Sequence, residues 1–301
     1  MAGKILVVGS LHLDVIVHSS RLPKPDETLL GDKVSYRFGG KGGNQAVAAA
    51  KIDVQVFMAG RIGTDNFGKQ IYDTLSNQNI NLDGLKMVDE ATGMSVALIG
   101  SDGIYCAVVV SGANQTIDLS EIAVPDDLTV LVLQNEINTD ANFEIIKKVP
   151  KSTFVILNAA PALTPNKDFF ERIDLLIVNQ LEAKMLLNEE PSIFNNLDAL
   201  RKLQNLGPKE VIITLGAEGY TGISKNGEIF SEPGIKVDVL STHGAGDSFV
   251  GTLAAFICKG EPINIAAQYA QASSALHVKT PIDQREKILQ ADIENMFSLN
   301  Q

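Results

Sequence analysis

The chain has 301 residues, 45% of them apolar, and a formal net charge of −11. That length and apolar share can fill one large α/β core. The acidic balance argues against nucleic acid or an anionic membrane surface as the main partner, and two cysteines, Cys106 and Cys258, imply no disulfide framework.

The opening segment, MAGKILVVGSLHLD, carries one lysine and an apolar run too short for an export signal. The expectation is a cytoplasmic protein with reduced thiols packed as small hydrophobes. KILVVG (4–9) predicts a buried strand: short, continuous, rich in branched residues and closed by Gly. Similar strands are predicted at VFMA (56–59), TVLVLQ (129–134), FVILN (154–158), LLIVN (175–179) and VIITLG (211–216). Helical spacing of apolar residues predicts helices over 66–78, 138–149, 194–206, 262–278 and 283–297. Continuous apolar strands alternating with helices predict a mainly parallel sheet covered on both faces, a three-layer α/β/α arrangement.

Two stretches break that alternation. Residues 14–38 and 94–111 have the pattern of antiparallel strands with turns, and SDG at 101–103 suits a hairpin turn. Both interrupt the α/β pattern rather than extend it. They predict a small β-sheet lid, built from segments 12–38 and 94–112, over a single α/β domain spanning 1–301. A free sheet edge there could pair with a second copy, so a homodimer through the lid is expected.

FGGKGGNQAVAAAK (38–51) is the first unusual motif. Four glycines around Lys41 bring backbone and side-chain donors close to a polyhydroxylated ligand, and Asn44 can both donate and accept. A tightly packed strand-to-helix turn explains the same glycines. STHGAGDSFVG (241–251) is the second. Gly244, Ala245 and Gly246 permit close approach of another group. A helix is expected to start near Asp247, where unpaired N–H groups with partial positive charge can receive an anion. Asp247 in that turn can take a proton from a hydroxyl beside it. That layout suits phosphoryl transfer to an alcohol, though GAGD alone fits an ordinary helix start equally. No GxxxxGK[ST] and no HRD or DFG set is present, and GSLHLDV (9–15) is not a dinucleotide fingerprint.

The two motifs, in this order and about 200 residues apart, resemble the two signatures of the PfkB (ribokinase-like) carbohydrate kinases. VNQLEA (178–183), ITLGAEG (213–219), LQNE (133–136) and LNAAPA (157–162) are similar to further elements of that family. The similarity runs from Lys4 to about Val278. It implies an α/β domain with a β-sheet lid and transfer of the γ-phosphoryl of ATP to a primary hydroxyl of a sugar, with Mg²⁺. Ribose or a similar pentose is the implied acceptor, with deoxyribose, a ketohexose or a nucleoside as alternatives. A non-catalytic sugar-binding regulator is the competing class, which an intact Asp247 disfavours.

By that resemblance Asp247 is the base, and the backbone of Gly244, Ala245 and Gly246 forms an anion hole. His12, Asp14, Gly40, Lys41, Asn44 and Glu136 fall at sugar positions. Asn179, Thr214, Gly216, Glu218, Gly219, Gly246 and Gln271 fall at nucleotide positions, and Asn179 and Glu182 would organise Mg²⁺ through water. From the residues alone, Asp14 could be a turn residue, Glu136 a cap of the next helix and Glu182 a solvated face residue.

Three positions depart from the family pattern. Ser241 stands where an Asp usually helps build a monovalent-cation site, and the lost charge weakens K⁺ binding, so K⁺ activation is not expected. HVKTPIDQREK (277–287) replaces the usual small-residue stretch that contributes to the same site. His12 stands where ribokinases commonly place Asn, which predicts an altered sugar preference. His243, inside the second motif, is expected to be exposed or packed, because Asp247 already supplies the base.

Overall fold

The computed structural model describes residues 3–101, 104–163, 166–189 and 195–300. Its strands are β1 (Lys4–Val8), β2 (His12–Ser19), β3 (Gly31–Gly39), β4 (Gln55–Gly63), β5 (Ile80–Val88), β6 (Met94–Gly100), β7 (Tyr105–Val110), β8 (Leu128–Gln134), β9 (Phe154–Asn158), β10 (Leu175–Asn179), β11 (Glu210–Thr214), β12 (Tyr220–Ile223) and β13 (Ile229–Glu232). Its helices are α1 (Lys41–Ala50), α2 (Asn66–Ser76), α3 (Thr139–Lys148), α4 (Lys167–Phe170), α5 (Gln180–Leu187), α6 (Asn196–Gln204), α7 (Ala245–Cys258), α8 (Ile263–Lys279) and α9 (Gln290–Ser298).

Among the described residues nine strands form the larger sheet, in the order β13-β12-β11-β10-β9-β8-β1-β4-β5. Pairing is parallel from β5 through to β11, and the β12–β13 hairpin closes the edge antiparallel. Each central strand is apolar on both sides because both faces are covered. Ile5, Val7, Val130, Val132 and Ile212 point into one core, packed against α1, α2, α7, α8 and α9. Leu6, Val8, Leu131, Leu133, Val211 and Ile213 point into the other, against α3, α4, α5 and α6. The alternation follows from the two-residue period of a strand.

Helix α7 is buried nearly all round. It lies between α1 and α8, and its apolar sequence follows from that central place. Closeness to α1 depends on Gly251, where a Cβ would meet the Gln45 carbonyl and the Ala48 Cβ.

The second sheet has the order β3-β2-β6-β7. Each half is antiparallel, as the sequence pattern predicts, but β2 and β6 pair parallel. The two segments enter the sheet from separate crossings of the chain, which sets their direction independently. The expected turn at 101–103 lies partly outside the described residues.

Two boundaries differ from expectation. Helix α7 begins at Ala245, two residues before Asp247, because Gly244 with φ 76 makes the turn. Residues 283–297 are not one helix: a 3₁₀ turn over Ile282–Lys287 precedes α9. Strands β5, β12 and β13 have no counterpart among the expected elements. Both cysteines are free, but Cys106 is exposed rather than packed, while Cys258 is buried. Among the described residues no helix is long and apolar enough to cross a membrane.

Candidate active site

Parallel strands place their last residues along one edge, where a crevice opens beyond the strand ends. Here that edge turns polar: β8, β9, β10 and β11 end in Gln134, Asn158, Asn179 and Thr214. The N-termini of α1 and α7 point to the same place.

Asp247 sits in the first turn of α7, 8% exposed. Its Oδ2 accepts from Asn44 Nδ2 at 3.0 Å, and its Oδ1 accepts from Gln45 Nε2 at 3.0 Å. Both donors come from α1, so the two glycine motifs meet at one carboxylate. The network continues inward: Gln45 Nε2 also donates to Asn158 Oδ1 at 3.1 Å, and Gln134 Nε2 donates to Gln45 Oε1 at 2.7 Å. Burial pushes the Asp247 carboxyl above its ordinary range, opposed by Lys41 and by the two amide hydrogen bonds.

Glu136 does not cap α3, whose cap is Asn138. It caps α1 instead. Its Oε2 accepts from Lys41 N at 3.0 Å and from Ser10 Oγ at 2.5 Å, and its Oε1 lies 4.0 Å from Lys41 Nζ. A carboxylate there complements the positive end of α1. Burial works against the Lys41 ammonium, yet Asp247, Glu136 and Glu182 together raise it above the ordinary lysine range.

His12 and Asp14 are neighbours on β2, 4% and 5% exposed. Asp14 is no turn residue. Its Oδ1 accepts from Ser95 Oγ on β6, and its Oδ2 lies 3.2 Å from His243 Nε2. Burial works to raise the Asp14 carboxyl, but hydrogen bonds from His243 and Ser95 hold it below the ordinary range. His243 is thus half exposed and also engaged, joining the loop before α7 to the second sheet. Among the described residues the buried His12 Nε2 has no partner, and burial lowers its pKa against the pull of Glu136 and Asp14. Gly40 caps α1 with φ 89, where a Cβ would meet Leu11 Cα at 2.7 Å.

Two cavities meet at the N-terminus of α7. One, of about 280 Å³, is lined by Lys41, Asn158, Asn179, Glu182, Gly244 and Asp247, among others. The other, of about 420 Å³, is mainly apolar and lies between Gly219, Tyr220, Ile235, Val239, Phe249 and Gln271. Thr214, Gly216, Thr242, Ala245 and Gly246 border both. Gln271 reaches the second cavity from α8 and donates to the Pro233 carbonyl at 2.6 Å. Gly219, φ 99, lets β13 and its sequel approach, since a Cβ would meet Gly234 N at 2.7 Å. Glu218 is exposed on its 3₁₀ turn and lines neither cavity. Of the three expected anion-hole donors, the Ala245 N–H is already used, donating to Thr242 O at 3.1 Å.

Asn179 and Glu182 form a reciprocal cap on α5. Glu182 N donates to Asn179 Oδ1 and Asn179 N to Glu182 Oε2, both at 2.8 Å. Burial lifts the Glu182 carboxyl above the usual range, against the Asn179 hydrogen bond and the pull of Lys41. Among the described residues no three His, Cys, Asp or Glu side chains converge as a metal cage. Glu182, which lines the polar cavity beside Asn179, fits Mg²⁺ that keeps water and phosphate oxygens as its main ligands.

Comparison with known proteins places this geometry. The model of the pfkB family carbohydrate kinases matches residues 2–287. The chain belongs to this family. A ribokinase of Schizosaccharomyces pombe is 32% identical over 292 residues, covering 91% of this chain and 92% of that one. A deoxyribokinase of Salmonella typhi is 28% identical over 282 residues, with coverage of 91% and 92%. The structure of Arabidopsis thaliana ribokinase complexed with ribose and ATP is similar at TM-score 0.89 and 29% identity, over 99% of each chain. This pfkB member therefore has the family's fold throughout, and the family resemblance drawn from the two glycine motifs holds.

Several engaged residues were not singled out from the sequence. Gln45, Ser10, Ser95, Asn158 and Arg285 all bond side chains or backbone far away in the chain. Gln45 carried the one usable signal, an amide side chain inside a helix of Gly and Ala.

Proposed function

We propose that this pfkB-family protein is an ATP-dependent sugar kinase acting on ribose or a similar pentose. One observation carries the reading. A buried carboxylate, Asp247, stands at the positive end of α7 where two cavities join, one polar and one apolar. The apolar cavity suits a nucleotide base. The polar one suits phosphates, with the acceptor beyond it among Asp14, Lys41, Asn44 and Glu136.

In this reading Asp247 takes the proton of the acceptor hydroxyl. The oxygen bonds to phosphorus as the bond to the ADP leaving group breaks. The N–H groups of the first turn of α7 and the Lys41 ammonium stabilise charge on the transferring phosphoryl. Asn44 and Gln45 fix the Asp247 carboxylate so that no reorganisation is needed at the moment of transfer. Mg²⁺ near Glu182 and Asn179 would neutralise phosphate charge when bound. Asp14 and Glu136 would accept hydrogen bonds from sugar hydroxyls.

The chain is read as one catalytic unit, with segments 12–38 and 94–112 closing over the acceptor and excluding water. Exposed Val34, Tyr36, Val108 and Val109 on that sheet favour a homodimer through the lid. A cytoplasmic setting suits an ATP consumer with two free cysteines.

A coupled ADP-release assay across pentoses, deoxyribose, ketohexoses and nucleosides tests the reading. Sugar-dependent turnover is expected with ribose foremost; no turnover with any acceptor would refute it. The unpartnered His12 Nε2 beside Asp14 favours a second reading, in which the order of acceptors is altered and ribose is not the preferred one. The His12→Asn variant should then shift preference toward ribose, and an unchanged order of sugars rejects that reading.

A further inference from the structure

Arg285 carries its charge into an unusual place. It lies in the 3₁₀ turn after α8 and is 8% exposed. Among the described residues no carboxylate pairs with it. Its guanidinium is met by main-chain oxygens instead. Nη2 donates to Ser241 O at 2.8 Å, Nη1 to His243 O at 2.8 Å and Nε to Thr280 O at 3.2 Å. Nη1 also lies 2.7 Å from His277 Nε2. Burial and the neighbouring Arg285 charge help depress the His277 imidazole to about 4. The ring is therefore neutral, and its Nε2 lies between the Arg285 guanidinium and the His243 carbonyl, 2.9 Å from that oxygen.

Burying a guanidinium is costly unless its surroundings are arranged to receive it. Here they are arranged as for a bound cation: carbonyl oxygens from two separate segments converge on one charge. The consequence for the site is direct. Ser241 O and His243 O turn toward Arg285, and the carbonyl between them, Thr242 O, turns the other way and accepts from Ala245 N–H. Gly244 follows with φ 76, and His277 Nε2 lies 3.1 Å from where its Cβ would be. Arg285 thus fixes the three peptides that lead into the first turn of α7.

The family pattern expects a monovalent-cation site at position 241 and in the tail. The residues present do not fit one. Ser241 supplies no carboxylate, and a free cation on these carbonyls would sit against the guanidinium. We propose that Arg285 is a tethered cation that takes the place of a bound monovalent ion, holding residues 241–243 and so orienting the anion-binding turn of α7, with turnover independent of K⁺. It is a positioning residue, and the proposal rests on the phosphoryl-transfer reading above.

The test compares wild type, Arg285→Met and Arg285→Lys in tetramethylammonium chloride and in KCl at equal ionic strength. Wild-type kcat should agree within twofold between the two salts. Arg285→Met should lose at least tenfold in kcat with little change in sugar KM, and K⁺ or added guanidinium should restore part of it. Arg285→Lys should fall between them. Melting curves give a second readout that needs no turnover. The wild type should melt at the same temperature in both salts, while K⁺ should raise the melting temperature of Arg285→Met. If Arg285→Met does not fold, Arg285→Lys carries the same comparisons. Activation of the wild type by K⁺ of threefold or more overturns the proposal. So does wild-type kcat in Arg285→Met, or a loss that neither cation restores. A chain inactive on every acceptor that still shows this melting pattern refutes the kinase reading alone.

Discussion

Replacing Asp247 by Asn separates the chemistry of the site from its architecture. The two side chains have the same shape, but Asn offers one acceptor and one donor where Asp offers two acceptors. Gln45 cannot turn over to suit, because its Oε1 accepts from Gln134 at 2.7 Å and its Nε2 also serves Asn158 at 3.1 Å. The new carbonyl must therefore face Gln45 and the new NH₂ must face Asn44. Asn44 donates to Asp247 at 3.0 Å and can reverse its amide to accept. One hydrogen bond is kept and one re-formed, so stability should change by only about 1 kcal/mol, offset further by removal of a buried charge. On the proposed reading, base catalysis is lost outright. That loss is worth roughly 10²–10⁴ in rate, or about 3–5 kcal/mol of activation free energy. Steady-state ADP release and thermal melting on the same preparation check both halves. The wild type should also lose activity in acid as the Asp247 carboxyl, raised by burial, takes up a proton. A kcat within tenfold of wild type for Asp247→Asn, at saturating sugar, would mean that another group accepts the proton and that the network has been misread.

Two glycines should respond in opposite ways. At Gly42 a Cβ would meet only backbone, Gly9 C at 2.7 Å and Ser10 N at 2.8 Å, so Gly42→Ala should cost about 1–3 kcal/mol, seen as a lower melting temperature. At Gly246 a Cβ would meet nothing within 4 Å, yet the residue borders both cavities. Gly246→Ala should leave the melting temperature unchanged and raise the ATP KM. His277 gives an acid limb: its pKa falls from 6.5 to about 4 on folding, so the unfolded chain binds the extra proton between those values. Stability is full above pH 6.5 and is lost as pH falls toward 4, by about 3 kcal/mol at most; His277→Gln should flatten denaturant midpoints over that window. His243→Ala should free Asp14 Oδ2 for the sugar and lower the sugar KM without changing the melting temperature; a raised KM would show that His243 assists binding instead.

The elements that the sequence discloses are those whose residues obey one local rule. The central strands are continuous apolar runs because two helical layers cover them, and Asp247 is conspicuous because three small residues precede it. Strand β5 alternates and lies at an edge, so its pattern, INLDGLKMV, matches neither a buried strand nor a helix. Strands β12 and β13 have four residues each, too few to set a period. The site shows the same division. Asn44 and Asp247 each lie in a glycine motif, but their hydrogen bond spans 203 positions. Nothing local tells Gln45 that its amide will face that carboxylate. Glu136 is a sharper case. A cap for the helix that follows it is the nearest explanation in sequence, yet it caps α1, 95 positions before it, because β8 and β1 are adjacent in the sheet.

That adjacency also accounts for why one point of the fold gathers the chemistry. Strands β1, β8, β9 and β10 are consecutive neighbours, and each ends or exits at a polar residue on the same edge. Helix α1 lies beside α7, so the amides of Asn44 and Gln45 reach the first turn of α7 without a long side chain between them. The same turn is held from the opposite side by the Arg285 guanidinium through Ser241 and His243. Asp247 therefore takes its hydrogen bonds from neutral donors in front, with the Lys41 ammonium acting on it through space, while a cation acting through backbone holds the turn behind. Neutral donors leave the carboxylate basic, whereas a direct ion pair would lower its affinity for a proton. On the proposed reading, placing the charge one peptide removed keeps Asp247 a usable base while still ordering the turn that would meet the phosphoryl group. If that account holds, moving the positive charge into contact, as Asn44→Lys would, should lower the pH at which Asp247 titrates and reduce kcat even though a cation has been added to an anion-binding site.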